Sequence, residues 1–217
     1  MKYRCLVLDH DDTVVNSTEQ IHYPSFMKTL AKIRPETKIT LEEFFLENFD
    51  PGFSALCNDV LSFTDVETEY QIECWNEYVH GHIPTIFAGM DRVIQRFHEN
   101  GGLICVVSHS FKDNIIRDYK ENDLPAPDMV FGWELPIEMR KPSSYPLEEI
   151  MLRYHLDASE LLVVDDLKPG ADMAKSCGVD FAAAGWAHSI PQIDEYMKNN
   201  CNYYFSTVDE LASFLLD

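Results

Sequence analysis

Three carboxylates, Asp9, Asp11 and Asp12, come directly after the apolar run CLVL near the start of the chain. Negative charge gathered at the end of a buried segment is either a solvated turn or a site that a bound cation neutralises. Mg²⁺ and Ca²⁺ take hard oxygen ligands, and carboxylates commonly supply them. The residues at the ends of the other apolar runs decide between the two interpretations.

Further residues that could take part in catalysis or binding follow the later apolar runs. Ser108 follows LICVV, Lys141 lies in the loop after MVFG, and the pair Asp165-Asp166 closes LLVVDD. In open parallel sheets, ligands bind beyond the carboxyl ends of the strands. Carboxylates in one crevice repel each other unless a cation lies among them, whereas a hydroxyl and an ammonium hold phosphoryl oxygens. The sequence therefore predicts a Mg²⁺ site at which one carboxylate can attack phosphorus.

The apolar runs themselves predict the sheet that positions these residues. Runs of valine, leucine and isoleucine alternate with helical patterns, which is typical of a parallel sheet covered on both faces. The predicted strands are residues 5–9, 103–108, 129–132, 161–165 and 181–186. The predicted fold class is α/β, with a Rossmann-like parallel sheet, helices on both faces and an inserted all-helical domain.

The inserted domain is predicted from the interval between Asn16 and Phe87, where the pattern is helical and no strand is indicated. Thr40 and Glu43 form a capping box, and Asp65 is expected to cap a second helix. An interval of about 70 residues is too long for a loop. The predicted domains are a core of residues 1–15 and 88–217 and a helical domain of residues 16–87.

Composition narrows the class of partner and the compartment. A formal net charge of −20 argues against nucleic acid and anionic membranes, because both would repel the chain. Six scattered cysteines without a CxxC pair predict free thiols rather than disulfides. Neither a signal peptide nor a run of about 18 apolar residues is present. We therefore expect a soluble, cytoplasmic monomer or homodimer.

In their order along the chain, these motifs resemble those of the haloacid dehalogenase-like (HAD) hydrolases. The family's DxDGT motif is matched by DHDDT from Asp9 to Thr13, and its strand ending in Ser or Thr by VVS at Ser108. Its lysine is matched by Lys141-Pro142, and its acidic motif by VVDD. The resemblance covers nearly the whole chain and points to the phosphatase branch with a helical cap, similar to phosphoglycolate phosphatases.

The resemblance implies a role for each motif residue. Asp9 would be the nucleophile that forms an aspartyl-phosphate, and Asp11 would be the general acid and base. The expected substrate-binding residues are Ser108, His109, Lys141 and Asp12. The expected Mg²⁺ ligands are Asp9, Asp165, Asp166 and Asp11, the last through its backbone carbonyl.

Two positions depart from the family pattern, since Asp12 replaces the usual glycine and Gly170 stands where a second aspartate is common. The implied function is hydrolysis of a small phosphorylated metabolite. The alternatives are a phosphosugar mutase of the same superfamily and a catalytically weak binding or scaffold protein. A response-regulator receiver domain fits less well, because its phosphoacceptor should follow a middle strand and the helical insert has no place in it.

Several other residues are interpreted as structural. His80 and His82 have the spacing of a metal pair but are expected at the surface or at a hinge. His10 is expected only to fill the loop between Asp9 and Asp11, and Trp186 to pack in the core.

Overall fold

A computed structural model describes residues 2–216 of the protein. The chain forms two compact units, one built from the residues up to Asn16 and from Thr85 onward, the other from Ser17–Pro84. We call them the core unit and the helical unit. The assignment of residues 16–87 as a cap domain remains a prediction.

The helical unit contains four α-helices and two short π-helical segments among the described residues. The helices are α1 (Tyr23–Ile33), α2 (Leu41–Phe49), α3 (Phe53–Ala55) and α4 (Asp65–Gly81), and the π-helical segments are Thr18–His22 and Leu56–Val60. The capping box predicted at Thr40 and Glu43 is confirmed. The predicted cap at Asp65 is wrong by one residue, because Thr64 caps α4 through a second capping box with Glu67.

The core unit is built on a six-stranded, all-parallel sheet with the order β3-β2-β1-β4-β5-β6. Its strands are β1 (Cys5–Leu8), β2 (Leu103–Val107), β3 (Met129–Phe131), β4 (Leu161–Asp165), β5 (Asp180–Ala184) and β6 (Tyr203–Phe205). The predicted α/β class with a parallel sheet is confirmed. The sequence prediction missed β6, a three-residue edge strand that is only partly buried and has no aliphatic run.

Six α-helices of the described chain accompany this sheet: α5 (Met90–Glu99), α6 (Lys112–Glu121), α7 (Tyr145–Tyr154), α8 (Lys168–Cys177), α9 (Pro191–Asn200) and α10 (Val208–Leu216). Aliphatic side chains of β1, β2 and β4 pack with Val93, Ile94 and Phe97 of α5 in the main hydrophobic core. The strand order places β1 between β2 and β4. The carboxyl ends of these three strands are therefore neighbours, where ligands of such sheets bind.

All six cysteines are free, as predicted. Within residues 2–216, no helix combines the length and the apolar character needed to cross a lipid bilayer.

Candidate active site

The loop after β1, residues 9–15, is held in shape by its own backbone. The Val14 and Val15 amides donate to the His10 carbonyl at 3.0 and 3.1 Å, and the Asp12 amide donates to the Val15 carbonyl at 2.8 Å. Asp12 adopts a left-handed conformation with φ of 57°. Aspartate tolerates this region better than most residues, which explains how it can stand where glycine is usual. We call this segment the β1 loop.

A buried lysine joins the ends of β1 and β4. The Lys141 ammonium lies 2.7 Å from Asp9 Oδ1 and 2.6 Å from Asp165 Oδ2. All three side chains are buried. Burial alone would lower the pKa of Lys141, but the two carboxylates outweigh it and raise this pKa above its usual value. Lys141 is therefore a fixed positive charge between two carboxylates.

Asp165 ends β4 and Asp166 follows it, and the surroundings of both disfavour negative charge. Burial, with the Asp9 carboxylate adding to it and Lys141 opposing, raises the pKa of Asp165 to about 6. Burial and the carboxylates of Asp165, Asp12 and Asp9 raise the pKa of Asp166 well above its usual value. Asp166 Oδ1 is buried and has no hydrogen-bond partner within the described residues. A cation beside these groups would lower the two carboxyl pKa values and give Asp166 Oδ1 a partner.

The acidic groups fit a divalent cation. One oxygen from each of Asp9, Asp165 and Asp166 lies within 4.8 Å of the others. This is the one such group of potential ligands found in the part of the chain that the structure describes. Three oxygen donors in one buried place suit Mg²⁺, which usually keeps water in its remaining positions. Ligation by the Asp11 backbone carbonyl and by the individual carboxylates stays a prediction.

Asp11 lies against two hydroxyl groups that follow β2. Ser110 Oγ donates to Asp11 Oδ2 at 2.5 Å, and Ser108 Oγ lies 3.5 Å from the same oxygen. The Ser110 amide in turn donates to Ser108 Oγ at 3.1 Å. Ser108 was predicted as a site residue, whereas Ser110 was not. The signal for Ser110 was the spacing SHS, which returns a second hydroxyl two residues after the first.

His109 contacts the backbone beside Lys141. Its Nε2 lies 3.1 Å from the Lys141 carbonyl oxygen, and its ring meets Trp133 edge to face with centroids 6.0 Å apart. Desolvation of the ring, followed by the Lys141 ammonium, lowers the pKa of His109. The neutral ring can donate from Nε2 and so hold the lysine segment. Substrate binding by His109 and Asp12 stays a prediction.

A model of the haloacid dehalogenase-like hydrolases matches residues 6–184 of the chain. The chain belongs to this family. The matched segment includes the carboxyl ends of β1, β2 and β4 and the Lys141 loop, and the resemblance inferred from the motifs is confirmed.

Solved structures of low sequence identity share the fold of this HAD-like hydrolase. A predicted phosphoglycolate phosphatase from Haemophilus somnus is 15% identical, with 99% of this chain and 98% of that chain covered and a TM-score of 0.76. A haloacid dehalogenase-like family hydrolase from Streptococcus pneumoniae is 13% identical, with 98% and 99% covered and a TM-score of 0.75. A mutant of CbbY from Rhodobacter sphaeroides, in complex with xylulose-(1,5)bisphosphate, is 13% identical over 96% of each chain, with a TM-score of 0.70. At such identities the likeness establishes the fold. No curated protein matches the chain.

Gly170, the second departure from the HAD pattern, has a steric reason in this hydrolase. It lies buried in the first turn of α8, and a Cβ atom added to it would lie 2.2 Å from Asp165 Oδ2. No side chain fits there while Asp165 keeps its place. The position of Asp165 therefore explains why residue 170 is glycine and not the second aspartate of the family pattern.

Three other residues singled out in the sequence have structural contacts of their own. His80 and His82 are exposed, and their Nδ1 atoms contact the Asn76 and Tyr78 carbonyls one helical turn back. Trp186 packs against the core, as expected. Its indole also donates to the Thr13 carbonyl at 3.0 Å, so it fixes the far end of the β1 loop.

Proposed function

We propose that this HAD-like hydrolase is a Mg²⁺-dependent phosphatase that hydrolyses a small phosphomonoester through an aspartyl-phosphate on Asp9. The observation that carries the proposal is the placement of Asp9. Its buried carboxylate lies 2.7 Å from the Lys141 ammonium and within 4.8 Å of oxygens of Asp165 and Asp166. A carboxylate in such a place can attack phosphorus while fixed positive charge stabilises the phosphoryl oxygens.

Asp9, Asp165 and Asp166 would hold the metal, together with the backbone carbonyl of Asp11. The unsatisfied Asp166 Oδ1 and the raised carboxyl pKa values support this assignment. Bound Mg²⁺ would neutralise the carboxylates and the phosphoryl group and act as a Lewis acid. The Lys141 ammonium would donate to the phosphoryl oxygens from its position beside Asp9.

In the first step, a carboxylate oxygen of Asp9 attacks phosphorus and the bond from phosphorus to the ester oxygen breaks. The leaving alkoxide takes a proton from Asp11, and the alcohol departs. In the second step, Asp11 removes a proton from water as the water oxygen attacks phosphorus. The bond from phosphorus to Asp9 breaks, which releases inorganic phosphate and restores the carboxylate.

The contact between Ser110 and Asp11 supports this division of labour between the two carboxylates. The hydroxyl donates to Asp11 Oδ2 at 2.5 Å and so orients this carboxylate for the exchange of a proton, whereas the Asp9 carboxylate lies against the Lys141 ammonium. Ser108 Oγ, 3.5 Å from the same carboxylate, is loosely held and can turn to a phosphoryl oxygen.

The substrate class is inferred from two proteins of the same fold and from the net charge of the chain. Proteins of the same fold include a predicted phosphoglycolate phosphatase and one solved with xylulose-(1,5)bisphosphate. A small phosphorylated metabolite is therefore the proposed substrate, and the net charge of −20 makes nucleic acid an unsuitable one.

The test is a panel of small phosphate esters, assayed by ³¹P NMR with Mg²⁺ and with a chelator. Release of inorganic phosphate that requires Mg²⁺ is the expected result. Full turnover in the presence of the chelator would overturn the metal assignment. Movement of the phosphoryl group within a phosphosugar, without phosphate release, would identify a mutase instead.

A further inference from the structure

The side chain between the two proposed catalytic carboxylates is tied to a helix. His10 follows Asp9 and precedes Asp11, and it is 1% exposed. Its Nε2 lies 3.1 Å from Oδ2 of Asp118, a buried residue of α6. A residue that merely filled the loop would not need this polar contact.

The acceptor is itself fixed on its other side. Asp118 Oδ1 accepts from Arg117 Nε at 2.8 Å, and Arg117 Nη2 forms an ion pair with the same oxygen at 2.7 Å. The His10 ring also stacks on Tyr119, the next residue of α6, with centroids 6.0 Å apart. The contact with Asp118 therefore fixes where Nε2 of the imidazole points, and stacking on Tyr119 fixes the plane of the ring.

The backbone of His10 also holds the β1 loop together. Its carbonyl accepts the Val14 and Val15 amides, so a displacement of His10 displaces the whole loop. The partner helix α6 begins at Lys112, directly after the segment that carries Ser108 and Ser110. The tether thus joins the loop of the carboxylates to the element that follows the hydroxyls.

We propose that His10 and Asp118 form a positioning pair that sets Asp9 and Asp11 relative to Ser108 and Ser110. Its effect on turnover rests on the proposed phosphatase function, whereas its effect on the β1 loop does not. A buried apolar pair would be as good for stability or better, because burying an imidazole against a carboxylate removes both from water. What a directional hydrogen bond adds is a fixed position, and a misplacement of about 1 Å can cost 10²-fold in rate.

The test compares His10→Leu, Asp118→Leu, the double Leu variant and Asp118→Asn. The asparagine keeps an acceptor oxygen for the imidazole but presents an NH2 group to Arg117 in place of Oδ1, so this control removes the Arg117 contact and leaves the tether. We expect each single Leu variant to lower kcat about 10²-fold with KM within about twofold, and Asp118→Asn to keep most of kcat. The double variant should be no slower than either single one, because both remove the same tether. It should also melt at a higher temperature than Asp118→Leu, since the imidazole is no longer buried without its acceptor, while Arg117 loses Asp118 in both variants alike.

Recovery of kcat together with Tm in the double variant would overturn the proposal, because the pair would then only fill space. Amide hydrogen exchange gives a readout without substrate: the Val14 and Val15 amides should exchange at least about tenfold faster in both single Leu variants, with β1 unchanged. Unchanged exchange would also overturn the tether. Faster exchange in a protein that hydrolyses no phosphate ester would keep the tether and reject the phosphatase.

Discussion

Among the described residues, the core unit buries charged side chains and the helical unit does not. In the core unit, the buried charged residues of the described chain are Asp9, Asp12, Asp118, Lys141, Asp165 and Asp166. In the helical unit, within residues 17–84, the buried polar residues are all uncharged: Ser17, Thr18, Ser25, Thr29 and Gln71. The two units therefore differ in the type of polar group that they remove from water.

The difference follows from the partners that each unit offers to its buried polar groups. Thr29 Oγ1 donates to the Ser25 carbonyl at 3.1 Å, and Ser25 Oγ donates to the His22 carbonyl at 2.9 Å. Such groups need only a nearby helix backbone, whereas buried charges are costly unless they are paired or bind a cation. Six buried charged residues in one unit therefore mark that unit as the candidate place for chemistry. The comparison assigns the chemistry to the core unit and a packing role to the interior of the helical unit.

The strongest way to break this comparison is to neutralise Asp9. Asp9→Asn should lower turnover by at least about 10³-fold, because an amide is a far poorer nucleophile than a carboxylate. The amide oxygen can still accept from Lys141, so the fold should persist. Phosphate release and the melting temperature should be measured beside those of Asp172→Asn, an exposed aspartate of α8. Activity above about a tenth of the unmodified protein would remove Asp9 from its role.

Asp11→Asn sharpens the division between the two carboxylates. General acid–base help is typically worth about 10²–10⁴-fold, and we expect a loss in this range for alkyl phosphates. A nitrophenyl phosphate should still phosphorylate Asp9, because its leaving group needs little protonation. The adduct should then persist, since no base activates the water that removes it.

Mass spectrometry of acid-quenched Asp11→Asn should locate this adduct on the peptide that contains Asp9. The variant with both residues changed to Asn is the control and should carry none. An adduct on Asp165 or Asp166 would exchange the assignments of nucleophile and metal ligand.

Much of the core unit could be predicted from the sequence because its strands are continuous aliphatic runs. Five strands lie within two residues of their predicted bounds: β4 matches, the first three end one residue early, and β5 is Asp180–Ala184 where 181–186 was predicted. The edge strand β6 was missed because YYF is short and owes its place to pairing with β5. Local patterns predict buried strands well, whereas an edge strand depends on its neighbour.

The site was predictable to the extent that its residues end strands. Asp9, Ser108 and Asp165 could be found in this way, and strand order brings their strands side by side. The tether from His10 to Asp118 could not be found, because its residues are 108 positions apart and no local pattern joins them. The Trp186 contact with Thr13 escaped prediction for the same reason.

Gly170→Ala tests whether the buried charges of the core unit depend on their packing. The added Cβ would lie 2.2 Å from Asp165 Oδ2, so the carboxylate must move. Changes beside metal ligands typically cost about 10–100-fold in metal affinity, and we expect a loss of this size for Mg²⁺, measured by titration calorimetry. Gly81→Ala is the control, because its Cβ would meet nothing within 4 Å. Unchanged Mg²⁺ affinity would argue against Asp165 as a ligand.

The smallest expected effect comes from the interior of the helical unit. Phe26 is fully buried, and its ring lies 5.2 Å from that of Phe44 and 5.5 Å from that of Phe53. Phe26→Leu keeps an apolar side chain but loses these ring contacts, which should lower the free energy of unfolding of this unit by about 1–2 kcal/mol. Amide exchange should become faster within residues 17–84, while β1 and β4 keep their protection.

Phe97→Leu is the matched control for this last change, because Phe97 is equally buried in α5 of the core unit. It should give the reverse pattern, with faster exchange in the sheet and unchanged exchange in α1 and α2. Equal loss of protection in both units after either substitution would mean that they unfold as one cooperative body. In that case the two units would differ in the charged groups that they bury but would not unfold independently of each other.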